Sequence, residues 1–317
     1  MRNFLASVFV SAAVLCAQGT SVSTTTDVDI NGHRVQKGPD VITTKTATGA
    51  VTTETMQSIN GRMVPLERVE ERVLRDDASG RVVERIVRRY DSQGNPAPPT
   101  RETIEETKRS DGSSTTTSST YRTDFNGNTQ LAQKSVTETH KSGGEERSET
   151  VVQRPSINGS LDTVEKQEQV KVAQPGGYRD ETTTYRPSDN GGFYAAVRTV
   201  TDHTDKNGQS TDNAIEYEAN PGGALQVHSQ TVTKTVTAPD GSKGSVVDIY
   251  ATSVPGTVDA PGSALKLQEQ QLVDSQKGPG GTVTQTLSVR RPTVSDPNTL
   301  GPARQISQTV CKGDCKP

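Results

Sequence analysis

The sequence predicts an all-β protein, a long antiparallel meander of repeated polar hairpins with a less regular C-terminal part. Three observations support this prediction. Glycines in turn contexts recur at nearly constant intervals, and polar and apolar residues alternate in the segments between them. The apolar residues are mostly valine, whose branched Cβ favours strands. The meander could form a single curved layer, a flattened tube or a solenoid.

The turn glycines mark the corners of the predicted meander. They stand in Asn-Gly, Asp-Gly, Ser-Gly or Pro-Gly contexts, which supply the positive φ that tight hairpin turns need. In the middle of the chain they lie 15 to 17 residues apart, which indicates one repeated unit. They are Gly32, Gly49, Gly61, Gly80, Gly94, Gly112, Gly127, Gly143, Gly159, Gly176, Gly191, Gly208, Gly222 and Gly241.

Individual segments agree with this pattern to different degrees. Residues 231–237 alternate with period two, a turn follows at 239–241, and 246–252 resumes as a second strand. Residues 66–90 could form a helix, but the continuing glycine spacing favours two strands with a hairpin tip at Ser79-Gly80 and with Glu and Arg paired across them. Residues 265–275 could be a strand or a short helix, and an extended tail is expected from Pro292 onward.

Composition limits the size of any core and the class of partner. Hydrophobic residues make up 29% of the 317 residues, aromatic residues 3%, and Trp is absent. Globular chains are usually about 45–50% apolar with glycine counted, so a thick core is not expected, and partial disorder is the alternative. The 35 Lys and Arg balance 38 Asp and Glu, which argues against a nucleic-acid partner.

The N-terminus predicts export. Residues 1–19 have a singly positive start, an uncharged apolar stretch and a small residue at the expected cut, as in a signal peptide. Lipidation of Cys16 is an alternative, although Leu15 stands where a small residue is needed. Residues 20–253 are predicted to form the hairpin repeat region, and 254–317 a Pro/Gly-rich C-terminal region with a terminal Cys pair. No later segment is long or apolar enough to span a membrane, so the mature protein is expected in the periplasm, at the cell surface or outside the cell.

Two short motifs could carry chemistry. Asp27, Asp29 and Asn31 place oxygen ligands at alternate positions, as at the start of a calcium loop. The closing glutamate is missing, however, and a plain hairpin explains the residues equally well. Cys311 and Cys315 are expected to form a disulfide in an exported protein, with a free thiol or a metal role as the alternatives.

No catalytic motif is present, and no cofactor is expected. The four histidines, at 33, 140, 203 and 228, are scattered without a partner at metal-ligand spacing. Folding could still assemble two carboxylates into a hydrolytic pair. The threonine ladders could match a regular surface such as ice or a polysaccharide, although β-propensity and solubility also explain them.

The segment 89–95, Arg-Tyr-Asp-Ser-Gln-Gly-Asn, resembles the core of the Tyr-Asp repeats of large bacterial surface and toxin-encasing proteins. The turns at 124–128 and 205–209 are similar, although they lack the Tyr-Asp pair and the spacing differs. Over its whole length the chain is similar to uncharacterised exported Thr/Val-rich β-hairpin repeat proteins of bacteria. These resemblances imply a fold and a location, and no activity.

The sequence therefore predicts a non-enzymatic exported structural or interaction protein, such as a spacer, a matrix component or an adhesin. Its partner is unknown, and an envelope polysaccharide or a protein is the expected class. One alternative is a periplasmic β-bridge protein that handles lipid, which needs a continuous apolar groove. The other is a hydrolase with an unidentified carboxylate pair, which needs a deep pocket and a perturbed acid.

Overall fold

The computed structural model describes residues 19–28, 34–35, 40–46, 49–59, 62–124, 126–252, 265–293, 299–313 and 315. The predicted signal peptide therefore lies outside the described residues, except for its last residue. Within the described part the regular structure is β-strand, with one short 3-10 turn at Pro279–Gly281. No helix in these ranges has the length and apolar character needed to cross a membrane.

Nineteen strands follow one another along the chain. They are β1 (Gly19–Val28), β2 (Arg34–Val35), β3 (Asp40–Lys45), β4 (Val51–Ile59), β5 (Arg62–Asp77), β6 (Gly80–Arg89), β7 (Thr100–Lys108), β8 (Ser114–Thr123), β9 (Thr129–Ser142), β10 (Glu145–Pro155), β11 (Leu161–Gln174), β12 (Gly177–Pro187), β13 (Phe193–Lys206), β14 (Gln209–Ala219), β15 (Leu225–Thr237), β16 (Lys243–Ala251), β17 (Lys266–Lys277), β18 (Val283–Arg290) and β19 (Arg304–Gly313).

The strands form one closed antiparallel barrel. From β3 to β19 each strand pairs with the next in sequence, and β1 pairs with both β3 and β19. The two-residue β2 pairs only with the end of β1, so 18 strands make up the ring. The predicted antiparallel meander is confirmed. Of the three shapes considered for it, the closed sheet matches the tube.

The segments that could have been helical are strands. Residues 66–89 form parts of β5 and β6 with a turn at Ala78 and Ser79 between them, and residues 265–275 fall almost entirely in β17. Charged side chains pair across these strands as predicted. Glu84 is 3% exposed and accepts hydrogen bonds from Arg72 at 2.6 Å, and Arg101 lies 2.7 Å from its other oxygen.

Many hairpins turn through a five-residue loop with a glycine in fourth place. In the loop 109–113 the N–H of Arg109 donates to the carbonyl of Ser113, and the N–H of Gly112 donates to the carbonyl of Arg109. This pattern is typical of a type I turn followed by a left-handed residue, and Gly112 has a φ of 82°. Most of the predicted turn glycines have the expected positive φ, but in the loop 220–224 Gly223 has it, at 81°, because Gly223 rather than Gly222 occupies the fourth place. Gly32 and Gly61 lie outside the described residues.

Aspartates organise several of these loops. The carboxylate of Asp91 accepts hydrogen bonds from the backbone N–H groups of Gln93 and Asn95, both at 2.9 Å. The side chain and backbone of Asn95 hold the pKa of the Asp91 carboxyl below its ordinary value. Asp124 has the same arrangement with Asn128, whose backbone and side chain lower its pKa. Hydrogen bonds also lower the pKa of the turn aspartates Asp77, Asp111 and Asp240.

These lowered pKa values predict an acid-sensitive fold. The unfolded chain binds protons more tightly at these aspartates, so their stabilisation is complete above about pH 4 and is lost as the pH falls through the folded values. We expect the thermal midpoint, followed by circular dichroism from pH 7 to pH 2, to fall in that acidic range. In the double variant Asp91→Asn, Asp124→Asn the fall should be shallower, since an amide oxygen can keep the turn hydrogen bonds without titrating. An unchanged slope would contradict this account.

The two faces of the barrel differ in chemistry. Cross-strand partners share a face, so the registers divide the strand side chains into two sets around the ring. One set contains Tyr121, Tyr185, Tyr217 and Tyr250, and we call it the tyrosine face. The other is the hydroxyl face, where hydroxyls contact each other across strands. The pairs are Thr25–Thr309, Thr43–Thr53, Thr137–Thr150, Thr139–Ser148 and Thr235–Ser245, at 2.8 to 3.5 Å.

Exposure indicates that the hydroxyl face lines the inside of the barrel. The exposed apolar strand residues are mostly on the tyrosine face, namely Val22, Met63, Leu161, Val172, Phe193, Val227 and Val236. Four of the five buried valines, Val64, Val83, Val283 and Val289, are on the hydroxyl face. Side chains crowd on the concave side of a curved sheet and spread on its convex side. The tyrosine face is therefore the outer one, and no described side chain is less than 2% exposed, as expected of a single layer.

Candidate functional site

The most regular surface feature is a row of tyrosines at one end of the barrel. Eight hairpins of the described strands turn at this end, and seven of them have a β-bulge near the turn, whereas β6–β7 pairs without a register shift. The register shifts lie at Thr55/Met56, Thr120/Tyr121, Val152/Gln153, Thr184/Tyr185, Glu216/Tyr217, Ile249/Tyr250 and Leu287/Ser288. We call this the bulged end, and the four tyrosines, each the first residue on the turn side of its shift, the tyrosine row.

The row has a constant period along the chain. Positions 121, 153, 185, 217 and 250 follow one another at steps of 32, 32, 32 and 33 residues, and Gln153 takes the place of a tyrosine in β10. The repeating unit is therefore a whole two-strand hairpin, and the glycine interval of about 16 residues is half of it. Two strand spacings, roughly 10 Å across the sheet, separate Tyr185 from Tyr217 and Tyr217 from Tyr250, whereas Tyr121 in β8 lies four strands from Tyr185 in β12.

Charged groups frame the rings of the row. The hydroxyl of Tyr185 donates a hydrogen bond of 2.9 Å to Glu168, and burial, followed by this bond, raises the pKa of Tyr185. The guanidinium of Arg198 lies 5.8 Å from the ring centre of Tyr217 and 2.8 Å from Glu181. The rings of Tyr185 and Tyr217 therefore stand beside groups that can donate or accept hydrogen bonds.

Apolar side chains continue the row across each bulge. The partners of the tyrosines in the next strand are Leu131, Ala195, Val227 and Leu267. Phe193 extends the surface toward the turns, and the ammonium group of Lys166 lies 4.7 Å from its ring centre. The result is an outer band in which aromatic and aliphatic groups alternate with charges.

The hydroxyl face carries a separate cluster around His203. The rings of His203 and Tyr178 are stacked with centres 4.7 Å apart, and Nδ1 of His203 lies 2.6 Å from Asp212. Lys171 stands 3.8 Å from the centre of the Tyr178 ring. Burial raises the pKa of Tyr178, with smaller contributions from the nearby aspartates. Each of these side chains contacts another member of the cluster. Their mutual contacts therefore account for the cluster without a bound ligand.

The structure places the residues singled out from the sequence as follows. Asp27 lies in β1 opposite Ser307 and Val35, whereas Asp29 and Asn31 lie outside the described residues, so the calcium loop stays a prediction. Cys311, in β19, and Cys315 are joined by a disulfide bond with Cα atoms 6.0 Å apart.

Two histidines do have carboxylate partners, contrary to the expectation from spacing. His203 contacts Asp212, and His228 lies 3.5 Å from Glu218. Both partners come from the neighbouring strand of a hairpin, so the distance along the chain hides them. The tyrosine row was also missed in the sequence, although the step of 32 residues was visible there.

No protein-family model and no curated protein matches the chain. Among solved structures it is similar to CdiB from Acinetobacter baumannii, with a TM-score of 0.37 and 10% identity, over 95% of this chain and 61% of that one. It therefore spans less than two thirds of that protein. A porin-like protein from Bacteroides uniformis is similar with a TM-score of 0.33 and 11% identity, over 92% of this chain and 95% of that one.

Proposed function

We propose that this chain is a non-enzymatic exported interaction protein that binds an extended envelope polysaccharide through the tyrosine row. The observation that carries the proposal is the repetition of an outward-facing tyrosine at the same bulge of four hairpins. A periodic surface fits a periodic polymer, whereas the surface of a protein partner is aperiodic. Many shallow contacts to one polymer also combine through multivalency.

The chemistry of the row supports a sugar ligand. Aromatic rings give a flat apolar face on which the C–H groups of a sugar can pack. The neighbouring Glu168, Glu181 and Arg198 offer acceptors and donors for its hydroxyls. Because the rings are mounted on paired strands, little conformational entropy is lost when they bind.

Charges on both faces favour an aqueous setting over a lipid one. Arg198 pairs with Glu181 at 2.8 Å on the tyrosine face, near the middle of β12, and Gln169 donates to Asp180 on the hydroxyl face. An arginine facing lipid at the bilayer midplane costs about 2–4 kcal/mol. The hydroxyl pairs along the inner face are also unsuited to the continuous apolar groove that a lipid-handling protein needs.

The pKa pattern gives the hydrolase alternative no support. A general acid in such an enzyme needs a raised carboxyl pKa. The described carboxyl groups with a resolved shift, Asp77, Asp91, Asp111, Asp124 and Asp240, all have lowered pKa values and lie in turns. The disulfide between Cys311 and Cys315 agrees with an exported protein, because disulfides persist in oxidising compartments.

Co-sedimentation with purified peptidoglycan tests the proposal, together with gel retardation in a soluble acidic polysaccharide. We expect the double variant Tyr185→Ala, Tyr217→Ala to bind at least about fivefold more weakly, since an aromatic contact contributes about 0.5–1.5 kcal/mol. Replacing all four tyrosines should abolish retention.

Tyr194→Ala is the matched control. Tyr194 is in β13, is 42% exposed and lies on the hydroxyl face, so its removal should leave binding unchanged. Equal loss in the Tyr194 variant, or no retention of the parent protein on either polymer, would contradict the proposal. Far-ultraviolet circular dichroism of each variant shows whether the barrel is intact.

A further inference from the structure

A cluster of three metal-ligating side chains lies on the β14–β15 hairpin. Ligand atoms of Glu216, Glu218 and His228 all lie within 4.8 Å of one another, and Nδ1 of His228 is 3.5 Å from Glu218. Glu216 and Glu218 alternate along β14 and share the hydroxyl face. His228 is the extra residue of the bulge, between Val227, opposite Tyr217, and Ser229, opposite Glu216.

The six other hairpins that have a bulge at this end provide an internal comparison for these three positions. Each has a residue before the shift, a residue two places later and an extra bulge residue. The corresponding sets are Thr55, Gln57 and Leu66; Thr120, Arg122 and Ala132; Val152, Arg154 and Val164; Thr184, Arg186 and Ala196; Ile249, Ala251 and Gln268; and Leu287, Val289 and Ile306.

None of the 18 residues in these six sets is His, Cys, Asp or Glu. The β14–β15 hairpin departs from the repeat at all three positions together, and each change introduces a metal-ligating group. At the middle position it replaces the arginine found in three other hairpins by a glutamate. Fold stability does not require these changes, because the sister hairpins form the same bulge without them.

We propose that Glu216, Glu218 and His228 bind a divalent transition-metal ion, for which Zn²⁺ is the best match. One imidazole nitrogen and two carboxylate oxygens suit Zn²⁺, with ligand distances of about 2.0–2.2 Å. The flexible glutamate side chains can close the present separations by rotamer changes. The fourth tetrahedral position is left to water or to an external ligand.

The site would clamp β14 to β15 at the bulge, beside Tyr217 of the tyrosine row. The metal site is a second binding site at the same end of the barrel. Its residues lie on the face opposite the tyrosines, so a test of metal binding does not depend on whether the tyrosine row binds polysaccharide.

Equilibrium dialysis of the full chain against ZnCl₂, followed by metal analysis, tests the proposal. We expect one Zn²⁺ per chain, and at least a tenfold weaker affinity in His228→Ala and in Glu218→Gln. His228→Ala introduces the residue already present at Ala132 and Ala196, so it should fold. Co²⁺ in place of Zn²⁺ should give visible absorption bands in the parent protein that both variants lose.

His203→Ala is the control, because it removes the other described histidine that contacts a carboxylate and should leave Zn²⁺ binding unchanged. A gain-of-site variant adds a positive test: Thr120→Glu, Arg122→Glu, Ala132→His, on a hairpin whose bulge residue is not buried, should raise the stoichiometry to two. Absence of stoichiometric binding, unchanged affinity in His228→Ala, or loss of binding in His203→Ala would overturn the proposal.

Discussion

A chain shortened to end at residue 303, which lacks β19, is expected to lose the folded barrel. β19 pairs over seven positions with β1 and over seven with β18, and it is the strand that closes the ring. Cross-strand pairs contribute roughly 0.2–1 kcal/mol each, so fourteen amount to about 3–14 kcal/mol. This is comparable to the entire stability of a typical domain, about 5–15 kcal/mol.

Removal of β19 should do more than lower the urea midpoint of unfolding. Without β19 the hydrogen-bonding edges of β1 and β18 are open, and open edges promote association between chains. We expect the shortened chain to elute as aggregates in size-exclusion chromatography and to show no cooperative transition in urea.

A chain that ends at Gly313 is the matched control for this truncation. It keeps all of β19 but loses Cys315 and therefore the disulfide to Cys311. Closing so short a loop stabilises by about 2 kcal/mol, so this variant should remain folded with a lower urea midpoint. If both truncations behaved alike, or if the chain ending at 303 unfolded cooperatively as a monomer, closure by β19 would not be what stabilises the barrel.

The strands could be predicted from the sequence because their signals are local. Valine, threonine and turn glycines at constant spacing are enough to place a hairpin such as β15–β16. Closure could not be predicted, since it depends on contacts between chain ends. Thr25 and Thr309 lie 284 residues apart in stretches of similar Ser/Thr-rich sequence, where nothing specifies a partner or a register.

The bulges also explain why the sequence does not predict which face of the barrel each side chain lies on. An extra residue shifts the phase of the polar–apolar alternation, so a period-two reading across Ala196 in β13 assigns one end of the strand to the wrong face. The same shift directs His228 toward Glu218. The candidate metal site depends on which residues a hairpin brings opposite one another, and spacing along the chain does not contain that information.

Two glycine-to-alanine changes are expected to alter stability in opposite directions. A Cβ at Gly177, the first residue of β12, would stand 1.8 Å from the carbonyl oxygen of His203 in β13. This is a backbone atom, so the strands must separate for the methyl group to fit. At Gly244 in β16 a Cβ meets nothing within 4 Å, and its φ lies outside the left-handed range.

We therefore expect Gly177→Ala to lower the free energy of unfolding by about 1–3 kcal/mol, as overpacking does. Gly244→Ala should raise it by about 0.5–1 kcal/mol, because alanine restricts the unfolded chain at a position where the fold has room for it. Urea unfolding of both variants beside the parent protein measures the difference. The difference between the two changes in free energy tests the sheet geometry. Both glycines lie in strands, and the neighbouring backbone approaches closely at Gly177 but not at Gly244. An increase in stability in both variants would show that β12 and β13 are farther apart at Gly177 than the structure places them, and a decrease in both would contradict the open space at Gly244.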